Sequence, residues 1–444
     1  MHTHASTDRN RYLIVGGLGL LAIGLVTYLP RRARPQPASV RLQSVPVPPP
    51  SSLADREIRA AQEMLRRAPS DVKGYNGLCA AYMHKARETG DFGLNAQAES
   101  ALAHARQLAP EDVEALKLQA LLLLTYHRFD EALDVARRAQ RLRPRDQGVY
   151  GALTDALVEL GDYDKAVEAA QTMIDLRPDT AAYARVSYLR ALHGDTAGAI
   201  EAMRRAVQAA NPADVEGVAW CRVHLGYELL NAKRLPEAER EFDQALAVFP
   251  TYHLALAAKA RARAAAGDTR AAIEFYERAQ NRVPLPDIVI ALGDLYAKVG
   301  RSDDAQRQYE LLEFIERAGT PAANTYSKQL VLFWADHDTR LDDALELARR
   351  ERAKRADVYT SDALAWCLYK KGQLAEARVS IEEALRLGTR DARMYYHAGL
   401  IHQALGDREA AVRYLKLALE VDPSFDVLQA DVARRALAAL GREP

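Results

Sequence analysis

Cysteine is nearly absent from this chain: three among 444 residues, Cys79, Cys221 and Cys367, far apart and with no CxxC pair. An odd, dispersed set excludes a disulfide framework and a zinc knuckle. Each falls within a helical apolar pattern and reads as a small buried thiol. Net charge is absent too, with 60 basic and 60 acidic side chains. Arg clusters have acids close by, so no broad basic field exists to hold nucleic acid. Aromatics make up only 7%. Glycine and proline are sparse and recur at intervals.

The motifs of common chemistry are missing as well. The sequence holds no HExxH, no phosphate-binding Walker loop and no GxSxG. Asp336-His337-Asp338 with Asp342 and Asp343 lacks the glycine and distal glutamate of a calcium loop, and reads as a solvated inter-helix turn. His397 and His402 are five residues apart, off the i, i+4 spacing of a helical metal pair, so one is expected packed and the other exposed. Surface acids such as Glu111-Asp112 and Glu382-Glu383 show nothing that would perturb them into an acid/base dyad. These readings point away from an enzyme and predict no cofactor and no metal.

What is present is helix-forming residue in bulk. Ala, Leu, Arg and Glu dominate, and they lose little rotamer freedom in a helix. The chain divides by composition into a tail over 1–11, an apolar run over 12–29, a proline-rich linker over 30–52, a capping helix over 53–69, a repeat region over 70–425 and a C-terminal capping helix with tail over 426–444. Tyr12 to Leu29 carries no charge and spans roughly 27 Å as a helix, close to a bilayer's hydrocarbon thickness. Tyr12 and Tyr28 mark its two ends, as an interfacial belt would. Pro30-Arg31-Arg32-Ala33-Arg34 after the run makes a poor cleavage site, so an uncleaved single-pass anchor is expected rather than a secretory signal. More arginines follow the run (Arg31, Arg32, Arg34, then Arg41) than precede it (Arg9, Arg11). This bias puts the soluble domain on the cytoplasmic rather than the periplasmic side. The linker, with Pro48-Pro49-Pro50, favours an extended spacer.

From Leu53 onward one pattern rules. Prolines recur at Pro110, Pro144, Pro178, Pro212, Pro250 and Pro284, with every step 34 residues except one of 38. Gly161-Asp162, Gly194-Asp195, Gly267-Asp268, Gly300, Gly372 and Gly406-Asp407 mark turns between paired helices, the glycine ending one helix and the aspartate capping the next. One unit reads Val289, Leu292-Gly293, Tyr296, Ala305, Tyr309. Another reads Leu225-Gly226, Leu229, Ala238, Phe242, Ala245, Pro250. A third reads Tyr75, Leu78-Cys79, Tyr82, Ala98, Ala105, Pro110. The last reads Tyr395, Ala398-Gly399, Gly406-Asp407, Ala411, Ala418, Pro423.

These residues resemble the tetratricopeptide repeat signature over roughly 70–425, with departures such as Thr154 and Ala260 for the signature glycine and Arg263 for the usual tyrosine. Two units are irregular: about seven extra residues near Glu88–Asn95 widen one turn, and Gly319–Asp357 lacks a closing proline. The resemblance implies an all-α, right-handed superhelical solenoid of about ten hairpins following a transmembrane helix. It also implies binding of partner proteins or peptides on the concave face lined by the first helices. The inward positions are then Asn76, Lys117, Asp155, Tyr188, Trp220, Tyr227, Arg261, Asp294, Trp366, Tyr369 and Tyr396. The Lys/Asn/Arg clamp for chaperone tails is not matched, since its slots hold Asn76, Ala80, Lys117 and Leu121. The expected role is a scaffold tethered to a bacterial inner membrane that assembles or regulates an envelope-associated complex. The alternative is an adaptor that captures one enzyme and controls its activity or turnover.

Overall fold

The computed structural model describes residues 52–318 and 327–441. The predicted anchor at 12–29 and its linker, apart from Ser52, lie outside them. No helix among the described residues is long and apolar enough to cross a membrane. Those residues form 22 helices and no strand. A single helix, α1 (Leu53–Arg67), precedes ten hairpins. The first five pair α2 (Val72–Thr89) with α3 (Leu94–Leu108), α4 (Val113–Thr125) with α5 (Phe129–Leu142), α6 (Gln147–Glu159) with α7 (Tyr163–Leu176), α8 (Thr180–Leu192) with α9 (Thr196–Ala209), and α10 (Val215–Asn231) with α11 (Leu235–Val248). The next five pair α12 (His253–Ala265) with α13 (Thr269–Gln280), α14 (Pro286–Lys298) with α15 (Ser302–Arg317), α16 (Ser327–Asp336) with α17 (Leu341–Lys354), α18 (Val358–Lys370) with α19 (Leu374–Ala384), and α20 (Ala392–Ala404) with α21 (Arg408–Val421). The last helix is α22 (Gln429–Leu440).

Local chemistry fixes each turn. All six predicted turn glycines are left-handed, with φ from 71° to 79°. At Gly161 the amides of Gly161 and Asp162 close back on Val158 and Leu157 carbonyls, the Schellman pattern. His127, Lys233 and Asp338 take the same position with φ of 53° to 62°, although each carries a side chain. The rest of the hairpin over-determines that backbone, since left-handed geometry costs an L-residue about 1–2 kcal/mol. Asp195, Asp268 and Asp407 accept the capping amide of the helix that follows. Asp162 does not; Lys165 holds its carboxylate instead. The extra residues near Glu88 widen the turn only to the four residues 90–93. They lengthen α2 to 18 residues, ending at left-handed Gly90.

Within a hairpin the helices approach through small residues. Ala132, Ala166, Ala238 and Ala305 are all buried, while Leu116 and Phe242 fill the grooves between helices at 1% and 0% exposure. Cys79, Cys221 and Cys367 are buried and free, and burial pushes each thiol up to about 12. His397 and His402 are both buried, which corrects the expectation of one exposed. His397 is hydrogen-bonded to Asp362 and stacked on Trp366, while His402 pairs with Asp407 and stacks on Tyr414.

The array also touches itself. The Ala356 amide donates to the Glu159 carbonyl at 2.9 Å. The Tyr163 hydroxyl accepts the Val358 amide, 195 residues away, and Thr389 Oγ1 donates to the Leu192 carbonyl, 197 residues away. Arg386 donates to the Gly161 carbonyl at 3.1 Å and covers the Tyr163 ring. The two near-equal offsets are what a regularly wound array requires: successive hairpins meet successive partners just under six 34-residue steps along. One hydrophobic cluster accordingly joins residues of α4–α8 to residues of α14–α22.

Candidate functional site

The winding encloses a cavity of about 490 Å³. The first helices of six consecutive hairpins line it: α10, α12, α14, α16, α18 and α20. Residues 421–427, between α21 and α22, close one side with Asp422, Phe425 and Asp426. Among the described residues seven aspartates border the space: Asp287, Asp294, Asp336, Asp362, Asp391, Asp422 and Asp426. Against them stand Arg261, Lys328, Arg390 and Arg393, with His337 as a titratable fifth. Carboxylates therefore exceed permanent cations by three.

Several of these groups are held in defined positions. Asp336 Oδ1 accepts the Trp366 indole N–H at 2.9 Å, and Oδ2 lies 3.7 Å from Arg393. Burial pushes the Asp336 carboxyl up to about 6, with Arg393 pulling the other way. Arg393 bonds Asp426 at 2.7 Å. Burial works against its charge, but Asp426, Asp336, Asp391 and Asp362 outweigh it and hold the guanidinium above its ordinary value. Asp294 takes the Tyr309 hydroxyl at 2.9 Å and His337 Nε2 at 3.1 Å. Burial disfavours the charged His337 ring, yet Asp294 overcomes that and raises it. Aromatic rings interleave with the charges: Arg261 lies over Tyr227 at 5.7 Å and Lys328 over Tyr359 at 5.1 Å.

Of the eleven positions read from the sequence, Tyr227, Arg261 and Asp294 line this cavity. Asp155 lines a smaller one of about 290 Å³ with Glu159 and His127, and is clamped by both Nε and Nη2 of Arg185. Tyr188 is 43% exposed, the most open aromatic of the set. Asn76 donates to the capping Asp112 of the next hairpin, and Lys117 reaches Asp146 of the one after its own. Trp220 packs on His224 at 3.9 Å. Trp366 and Tyr396 are each 1% exposed; with Tyr369 they form a ring stack behind Asp336. Asp336 and His337, expected in a solvated turn, instead face inward, because α16 continues through Asp336. Sequence reasoning also passed over Asp287, Lys328, Tyr359, Asp362 and Arg393, which occupy the same first-helix faces as the residues it chose. Asp422 and Asp426 gave no signal, since they reach the cavity only through the winding.

Tetratricopeptide repeat family models match residues 83–146, 123–187, 224–285 and 392–425. Those segments are thus tetratricopeptide repeats, a repeat class found in scaffolds that bind proteins or peptides. Solved structures with similar helical repeats include a tetratricopeptide repeat protein from Parabacteroides merdae, 17% identical over 64% of this chain and 100% of that one, with a TM-score of 0.35. A Thermus thermophilus repeat protein, TTC0263, is 19% identical over 47% of this chain and 98% of its own, with a TM-score of 0.35. Human IFIT1, solved as a dimer with PPP-AAAA, is 13% identical over 82% and 86%, with a TM-score of 0.46.

Proposed function

We propose that this chain is a membrane-tethered scaffold whose cavity receives an extended partner segment bearing Lys or Arg side chains. One observation carries the reading: seven carboxylates against four permanent cations around a space of about 490 Å³, with tyrosines between them. A cationic side chain entering there meets carboxylates and aromatic faces, the two surfaces that favour it most. The scaffold performs no chemistry of its own and serves assembly or regulation of an envelope-associated bacterial complex.

Calorimetric titration with short peptides tests the cavity. Arg- or Lys-containing peptides are expected to bind, and their affinity to fall tenfold or more in Asp287→Lys, a partly exposed wall position. Equal or tighter binding of acidic peptides by the unaltered protein would reject the reading.

The tether is supported by the uncharged run from Tyr12 to Leu29 and the arginines after it. A reporter active only in the cytoplasm, fused after Pro444, is expected to give signal from carbonate-resistant membranes. Signal from an exported reporter alone would reverse the orientation, and full extraction by carbonate would remove the tether.

A further inference from the structure

We propose that His84, Asp214 and Glu216 form a binding site for a divalent first-row transition metal, Zn²⁺ being the best match, that staples the first hairpin to the fifth. His84 lies on α2, Asp214 caps α10, and Glu216 lies in the first turn of α10. One ligand atom from each falls within 4.8 Å of the others. His84 is 9% exposed and Glu216 4%.

The arrangement has the parts a metal centre needs. His84 Nδ1 bonds Glu57 Oε2 at 2.9 Å, which orients the ring and leaves Nε2 facing Asp214 Oδ1 at 3.3 Å. Bonds of about 2.0–2.2 Å to a tetrahedral ion place two ligand atoms roughly 3.3–3.5 Å apart, so this pair already has the required spacing. A carboxylate on the far nitrogen of a ligating histidine is the usual outer support of such sites. Glu216 is positioned by the Tyr252 hydroxyl, 3.0 Å from its Oε1, in a ring that is itself 1% exposed. Glu216 must turn toward the ion to close the gap that remains, since the three ligand atoms lie within 4.8 Å of one another. Asp214 also caps the Gly217 amide at 2.9 Å, and its side chain, 31% exposed, gives an ion its way in.

Charge points the same way. Three carboxylates, Glu57, Asp214 and Glu216, surround one imidazole. Arg87 faces them, its Nε 3.5 Å from Glu216 Oε2 on a side chain that is 55% exposed. A mixed imidazole and carboxylate set suits Zn²⁺ or Co²⁺; Ca²⁺ and Mg²⁺ prefer all-oxygen ligands.

The test is equilibrium dialysis of the full chain, stripped with chelator, against Zn²⁺ and separately Co²⁺. One ion per chain is expected, with a visible cobalt absorption band. His84→Ala and Glu216→Gln should each weaken binding at least 100-fold, and Glu57→Gln roughly 10- to 100-fold. Arg87→Gln should tighten it, because the arginine competes with the ion for Glu216; a purely structural salt bridge would not show that gain. Circular dichroism of each variant separates lost binding from lost folding. No bound metal at 1 mM, or binding undiminished in folded His84→Ala, overturns the site.

Discussion

Gly226→Leu is expected to destabilise the protein by about 3 kcal/mol or more, seen as a shift of the urea midpoint followed by circular dichroism. The reason is local and severe. A Cβ at Gly226 would lie 2.2, 2.7 and 2.8 Å from three ring carbons of Phe242. Phe242 has no exposed surface and packs edge-on against Tyr227, so the ring has nowhere to retreat. In an open helix, replacing glycine with a larger residue would instead gain up to ~1 kcal/mol from propensity. Here the close approach of α10 and α11 reverses the sign. Pairing the variant with Phe242→Ala should restore part of the loss by making room, and an unshifted midpoint in Gly226→Leu would refute the packing argument.

Arg355→Ala should cost a comparable amount, about 3–5 kcal/mol, because it strands the buried Asp357 carboxylate and the partly buried Glu159 beside it. Arg355 lies 2.9 Å from Glu159 and 2.7 Å from Asp357, and its guanidinium covers the Phe129 ring at 5.3 Å. Its side chain is 12% exposed, and that of Asp357 only 5%. The three groups sit where one turn of the array meets another, so the loss reaches both. Arg355→Met with Glu159→Gln should lose less than Arg355→Ala alone, since it leaves one fewer buried charge.

The effect carries a pH signature. Burial pushes the Glu159 carboxyl up to about 7, against an ordinary carboxylate near 4.5. A carboxyl raised on folding favours the fold below its unfolded value, and that advantage is lost as pH rises from about 4.5 to 7. Asp357 runs the opposite way. Burial works to raise it, but Arg355 and Thr360 together hold it below its ordinary value, so its contribution is present above that ordinary value and lost in acid. Removing Arg355 raises both carboxyls. The destabilisation in Arg355→Ala should therefore be larger at pH 8 than at pH 5, measured as paired denaturation curves; equal losses at the two values would count against the stranded-charge account.

Much of the fold was legible because it is written locally. The proline spacing set the hairpin length, and Gly161, Gly194, Gly267, Gly300, Gly372 and Gly406 announced the turns that the backbone makes. His127, Lys233 and Asp338 make the same turn without a glycine, so composition alone hid them. The candidate sites were only partly legible. Tyr227, Arg261 and Asp294 follow from hairpin register, since first helices face inward. Trp366 and Tyr396 share that register, yet they fill the layer behind the cavity wall. The contributions of Asp422 and Asp426, and the meeting of His84 with Asp214 and Glu216, depend on small rotations between hairpins summed along the chain. No short window of sequence holds that sum.

The contacts between turns bear on how this chain can lengthen or shorten. Repeat arrays are usually free to gain or drop a unit, because each hairpin answers only to its neighbours. Here Val358 must meet Tyr163 and Thr389 must meet Leu192, at offsets of 195 and 197 residues. Duplicating one hairpin between Leu192 and Val358 would carry both pairs past their mates by a whole step. The number of hairpins between the two turns is therefore a fixed count, set by closure as in a ring, and insertions are tolerated only outside the closed span.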